Sequence, residues 1–363
     1  MSADSRDRLY IYGVIPTREE VNLGIIGIGD QGAQVYTIPH QDIAAVVSEC
    51  PARDYASMTR EMLIRELAQH QQVVEQTMSR FPVLPVKFGT TVEDRAHVSL
   101  VLQKGYAEFK TAYSQMQDKI QVEVVATWDL QSVLGEIAQE APIIELKANI
   151  GSDSSPSTIP DRIRLGEAIK GSLDERRERY QQEAISFLAG CAVELKPNPL
   201  FDDSLVLNMA ILLPKERLPE LDERLDELDQ KLNGYLTFRR VGPLPPYSFS
   251  TVEVKRISPE EVRQARESLE LPQEATLAEV KQAYYRQARR YHPDAQADIA
   301  ADSLRFSQIQ GASRLLISYC QAQLAGRERA SEAGDEGTRC SFEPEAAEGA
   351  ILVSIGSSGG DIP

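Results

Sequence analysis

Apolar residues recur at three- and four-residue spacing along several stretches of this chain, and each predicts an amphipathic helix. Met62, Leu63, Leu67, His70, Val74 and Met78 mark a helix over about 59–80. Val98, Val101, Leu102, Tyr106, Phe109 and Tyr113 mark the next, and further helices are predicted at about 162–188 and 218–232. Near the C-terminus Val280, Ala283, Tyr284, Ala288 and Tyr291 form one stripe, and Phe306, Ile309, Ala312, Leu315 and Leu316 form another. Between these lie short runs rich in β-branched and aromatic residues at 8–14, 35–38, 43–47, 122–128, 205–213, 235–241 and 249–254. They read as strands, so the pattern alone gives mixed helix and sheet followed by a helical C-terminal part.

Capping residues and prolines punctuate this pattern. Thr90 with Glu93, Ser258 with Glu261, and Thr276 with Glu279 each fit a capping box, and Asp129 can cap the helix after the 122–128 strand. Pro82 and Pro85 in FPVLPVKFGT exclude a regular helix and a central strand, yet the segment is nearly all apolar and so must be extended and packed. Gly242-Pro243-Leu244-Pro245-Pro246-Tyr247 reads as a rigid, polyproline-like connection that pins the strand after it. Pro85, Phe88, Gly89, Pro245, Pro246 and Tyr247 are thus candidates for a contact surface or, the preferred reading, for a structural role.

Composition narrows the function classes. At 363 residues two or three domains are expected. The longest apolar run, 205–213, is far shorter than a bilayer span of roughly 20 residues, so membrane insertion is not expected. The net charge is −16, and residues 326–363, at −5, read as an acidic flexible tail in which 350–355 is apolar enough for a short docking strand. The acidic body also argues against nucleic acid as a partner.

Four scattered cysteines (Cys50, Cys191, Cys320, Cys340) suggest neither a metal site nor a disulfide framework, and no catalytic constellation emerges around the four histidines. His70 reads as a packed histidine. Gly27-Ile28-Gly29-Asp30-Gln31-Gly32 matches a dinucleotide fingerprint by letter but leads into AQVYTIP, which is strand-like, so it reads as a glycine-rich hairpin. The expectation is a protein without enzymatic activity, cofactor or metal.

In the sequence TLAEVKQAYYRQARRYHPDA, Arg286, Arg289 and Arg290 share a solvent face with Lys281 nearby, and Pro293 stops the helix. A basic helix, a His-Pro-Asp loop and an apolar partner helix resemble a J-domain. Ser258–Glu261 supplies a short capped lead-in helix, and Leu269 and Leu271 stand where that family places its Leu-Gly-Leu-like lead. The resemblance implies that His292, Pro293 and Asp294 stimulate an Hsp70 (DnaK-like) ATPase, with Lys281, Arg286, Arg289 and Arg290 as the docking face. Ala295 replaces the usual basic residue and no basic fourth helix follows Tyr319, departures that point to a weaker grip.

The segments RLYIYGV, FPVLPVKFGT, VEVVATWD and LTFRRVGPLPPYSFSTVEV occur in an order similar to that of the gas vesicle protein F/L family, over about 8–254, with a local insertion around 151–160. The resemblance implies two ferredoxin-like α/β domains and association with the small hydrophobic shell protein and other accessory proteins. The expected organisation is α+β: F/L-like domains at 1–145 and 146–254, a J-domain at 256–322, and the tail from 326. The expected function is cytoplasmic gas vesicle assembly, with binding of the shell subunit and recruitment of Hsp70. The alternative is a general J-domain co-chaperone with an N-terminal client-binding module.

Overall fold

The computed structural model describes residues 8–53, 55–150, 159–291, 299–328, 338–347 and 349–356. Two compact units divide the chain, one containing the residues up to Ser114 together with Thr251–Gly356, the other Gln115–Ser250. The division therefore falls near 114 rather than at 145, because the strand that opens the second sheet begins at Lys119.

In the first unit β1 (Arg8–Ile15), β2 (Asn22–Gly27), β3 (Ala33–His40) and β4 (Ile43–Cys50) form an antiparallel sheet in the order β2-β3-β4-β1. Helix α1 (Arg60–Met78) packs on β1 and β2. The short strands β5 (Leu84–Pro85) and β6 (Thr91–Val92) both pair with β1. Helix α2 (Arg95–Lys104) packs on β3 and β4, and α3 (Tyr106–Met116) follows. Every residue of β1 from Leu9 to Ile15 is buried, which is why RLYIYGV reads as an apolar run rather than an alternating one. The glycine-rich letters at 27–32 are the β2–β3 hairpin.

Two local expectations change here. Thr90 and Glu93 do not form a capping box: Thr90 Oγ1 donates to the Lys87 carbonyl (2.7 Å), and Glu93 pairs with Arg256. Asp94 caps α2 instead, accepting from the His97 N–H at 2.9 Å. The single stripe from Val98 to Tyr113 is split into two helices at Gly105, where a Cβ would lie 2.5 Å from Val353 Cγ1.

The second unit runs β7 (Lys119–Thr127), α4 (Leu130–Ile137), α5 (Ala141–Ile150), α6 (Ile159–Leu188), β8 (Glu194–Pro197), β9 (Leu205–Pro214), α7 (Leu218–Lys231) and β10 (Thr237–Leu244). Its antiparallel sheet has the order β10-β7-β9-β8, the ferredoxin-like arrangement of a βαββαβ chain. The first sheet does not share it, because β2, β3 and β4 follow β1 as a meander before any helix is reached. Asp129 caps α4 as expected, and Leu221, Leu225 and Leu228 bury one face of α7.

The chain then returns to the first unit. Strand β11 (Thr251–Ile257) leads to α8 (Pro259–Ser268), β12 (Glu274–Thr276), α9 (Leu277–Arg290) and α10 (Ile299–Glu328). Beyond these come β13 (Arg339–Ser341), α11 (Pro344–Ala347) and β14 (Ala350–Gly356). The flexible-tail expectation fails over these last elements: β13 pairs with β12 and β14 pairs with β11, burying Cys340, Phe342, Ile351 and Leu352. The expected docking strand is β14.

Candidate functional site

Both capping boxes of the C-terminal helices form. The Ser258 N–H donates to Glu261 Oε2 (2.8 Å) and the Glu261 N–H to Ser258 Oγ (3.2 Å); Thr276 and Glu279 repeat this at 2.8 and 3.1 Å. These bonds hold the Glu261 and Glu279 carboxyls below the usual carboxylate range, the N-cap amide being the main cause in each. Leu269 and Leu271 enter the core with Val262, Val280, Ala283, Ile309 and Leu316. Gln287 is also buried on the inner face of α9, a polar residue that the apolar stripe did not reveal.

Packing that face inward leaves Lys281, Arg286, Arg289 and Arg290 exposed on α9. Arg290 lies 3.8 Å from Glu270, and its guanidinium and that of Arg305 stand over the Tyr291 ring at 5.5 and 4.9 Å. Tyr285, 62% exposed, was missed by the stripe but shares the polar face with Lys281 and Arg289 at four-residue spacing. Lys281, Tyr284, Tyr285, Gln310, Arg314 and Ile317 line an open groove of about 330 Å³ between α9 and α10. His292, Pro293 and Asp294 lie outside the described residues, directly after the basic end of α9.

The proline motifs are built into the two sheets. In FPVLPVKFGT, Leu84 and Pro85 are buried and pair with Val14 and Gly13, and the Val86 N–H donates to the Tyr12 carbonyl at 2.9 Å. Tyr10 Oη accepts from the Gly89 N–H (2.8 Å) and lies 3.0 Å from His70 Nδ1. With His70 also donating to the Val86 carbonyl, the neutral ring accepts from Tyr10, and burial pushes its pKa down to about 4. His70 is the packed histidine expected. Gly89 has φ of +84° and stands 3.4 Å, through a would-be Cβ, from the Tyr55 ring, while half-buried Phe88 packs edge-on to Tyr55 and His70.

In the second unit Pro245 and Pro246 are buried and Tyr247 is half-buried. The Pro246 carbonyl accepts from the Phe249 and Ser250 N–H groups at 3.0 and 2.8 Å, and the Ser248 N–H donates to Gln121 Oε1 at 2.8 Å.

Among the described residues no cluster of His, Cys, Asp or Glu is arranged to hold a metal ion, and no helix is long and apolar enough to cross a membrane.

Comparison with known proteins agrees with this geometry. Residues 267–321 match the DnaJ domain, the span of α9 and most of α10. A gas vesicle protein F from a Streptomyces species is 26% identical over 248 residues, covering 66% of this chain and 98% of that protein. The gas vesicle protein F of Haloferax mediterranei is 24% identical, over 68% and 95% respectively. The crystal structure of GvpF from an Anabaena species superposes with a TM-score of 0.56 at 22% identity, covering 67% of this chain and 97% of that one. GvpF from Microcystis aeruginosa gives 0.53 at 21%, over 66% and 98%. Neither family description names an enzymatic activity. Since residues 8–251 match the gas vesicle synthesis protein GvpL/GvpF family, the chain belongs to that family and carries a DnaJ domain behind its family module.

Proposed function

We propose that this protein is a cytoplasmic accessory factor of gas vesicle assembly that holds or positions the hydrophobic shell subunit and brings an Hsp70 of the DnaK type to it. The observation that carries the proposal is the joining of a GvpL/GvpF module and a DnaJ domain in one chain. Unassembled shell subunits expose apolar surface and aggregate in water, so a factor that retains them next to a chaperone addresses the physical difficulty of assembly.

In this proposal His292, Pro293 and Asp294 trigger ATP hydrolysis by the partner, and Lys281, Arg286, Arg289 and Arg290 dock it. The exposure of these four cations on α9 supports the docking role. The ATPase belongs to the partner. Shell subunits and other gas vesicle accessory proteins engage the GvpL/GvpF module. Pro85, Gly89, Pro245 and Pro246 are assigned to the scaffold, a role supported by the burial of the three prolines and the left-handed backbone at Gly89.

The test uses the full chain and its His292→Gln variant, co-expressed with the shell protein. The expected result is that the shell protein co-purifies with both, while only the unaltered chain stimulates single-turnover ATP hydrolysis by Hsp70 and sustains full gas vesicle yield. An unchanged yield with the variant would remove the chaperone role. Failure to retain the shell protein, with another apolar client retained instead, would favour a general co-chaperone.

A further inference from the structure

Both family matches end before residue 322, yet the chain beyond them folds back into the first unit. Strand β14 runs antiparallel to β11 over seven residue pairs, from Thr251 opposite Gly356 to Ile257 opposite Ala350. Strand β11 is the lead into the DnaJ domain, and its other edge is already held by the N-terminal lobe. The Lys87 N–H donates to the Val252 carbonyl at 2.9 Å, and Lys87 Nζ meets Glu253 at 2.7 Å. The DnaJ domain is therefore tied at its entrance and its exit by one two-stranded ribbon.

The two faces of the ribbon are used differently, as the alternation of a strand allows. On one face Ile257, Ala350 and Leu352 join the core formed by α8, α9 and α10, and Lys255 pairs with Glu261 on α8 at 3.2 Å. On the other face Arg256 bonds Glu93 and, at 3.2 Å, His97 Nε2 of the lobe, and Val353 fills the space beside Gly105 that a Cβ would occupy. Ile351 shares this second face with Val353 and is 6% exposed. At the far end, Tyr319 Oη and Gln323 Nε2 on α10 both donate to the Ser341 carbonyl, at 3.0 and 2.9 Å, fixing β13 to the helix.

We propose that β14 is a strap that fixes the J-domain against the N-terminal lobe, so that the J-domain is carried in one orientation and not on a free tether. Lys281, Arg286, Arg289 and Arg290 stay exposed with the strap in place. On the reading given under Proposed function, Hsp70 would then arrive at one fixed position relative to the lobe.

The test contains no Hsp70, so its failure is separate from failure of the chaperone reading. Spin labels are placed at exposed Glu61 on α1 and Ser307 on α10 through cysteine substitution, the four native thiols being buried. Electron–electron double resonance then reads the width of the distance distribution. Amide exchange over α9 reports whether the J-domain remains folded. The unaltered chain is expected to give one narrow distribution. Ile351→Asp/Val353→Asp, which charges only the lobe-facing side of the ribbon, is expected to broaden it at least twofold with α9 still protected. A chain ending at Gly337 is expected to broaden it as well. A broad distribution in the unaltered chain, or a narrow one retained in either variant, overturns the strap. Loss of α9 protection in the double variant also overturns it, by making the ribbon part of the J-domain's own fold.

Discussion

The first unit buries His70 beside its sheet, and the second holds Glu123 half-buried within strand β7. Burial disfavours whichever form is charged, and that form is the protonated one for histidine and the deprotonated one for glutamate. His70 is pushed down to about 4, while burial raises Glu123 above the usual carboxylate range. Hydrogen bonds from Gln121 and Asn198 draw Glu123 part of the way back. One physical cause thus gives these two groups opposite contributions in acid.

The largest expected effect follows from His70. Its folded pKa lies below the unfolded value, so its contribution is present above about pH 6.5 and is lost as the pH falls toward 4. At about 1.4 kcal/mol per pKa unit this amounts to about 3 kcal/mol for the first unit. Glu123 has the opposite sign: the folded state holds its proton more tightly, so this group favours folding of the second unit as the pH falls through its raised pKa. The single tryptophan, Trp128, sits in the second unit with Nε1 donating to the Asp203 carbonyl at 2.8 Å, and its fluorescence reports that unit. Between pH 7 and pH 4.5, β1 amide protection, taken relative to the slower intrinsic exchange in acid, should fall by more than the Trp128 denaturant transition loses. His70→Gln should flatten the acid response of β1. Equal acid shifts in both probes would break the comparison.

The later elements of the second unit were legible because they follow one another along the chain, although its opening strand β7 was assigned to the preceding domain and β8 was not read. Leu205 to Leu213 is an apolar run, interrupted only by Asn208, long enough for a central strand, and the leucines of α7 recur on one face. The J-domain was legible for a related reason, since its caps, stripe and basic face are all encoded within a few residues of each other. In the first unit the decisive contacts are remote in sequence. Glu93 looks like a capping residue for Thr90 until Arg256 arrives 163 positions later. Gly105 interrupts a good stripe because Val353 needs the space. Glu66 lies on the buried face of α1 because Arg53 pairs with it there, which no periodicity signals. His70 could be read as packed, but its wiring to Tyr10 and Val86 required the sheet. The His292-Pro293-Asp294 motif was read from its letters and lies outside the described residues.

A smaller effect tests the wiring of the first sheet without titration. Tyr12 Oη lies 2.8 Å from Ser48 Oγ and accepts from the Ile28 N–H at 2.8 Å, all of them buried. Tyr12→Phe keeps the ring and removes both bonds, leaving a buried amide unpaired, at a cost of about 2 kcal/mol. The loss should appear in chemical denaturation of the first unit and leave the Trp128 transition unmoved. A matching shift of Trp128 would mean that the two units unfold as one, and the contrast between His70 and Glu123 would then have no separate readout.

The smallest effect bears on where the first unit ends. Thr276→Ala removes the cap of α9, and N-cap losses cost about 1 kcal/mol. If the J-domain were a module on a tether, that loss would lower the melting of α9 alone, and β1 would keep its exchange rate. With α8, α9 and α10 sharing a core with Ile257 and Leu352 of the ribbon, and the ribbon held to the lobe through Lys87 and Arg256, the cost is shared. Exchange through global opening should then rise by about fivefold in both α9 and β1, the rate equivalent of about 1 kcal/mol. Trp128 should not respond. Acceleration in α9 with none in β1 would place the cooperative boundary at the ribbon and leave the lobe with the chain up to Ser114 alone.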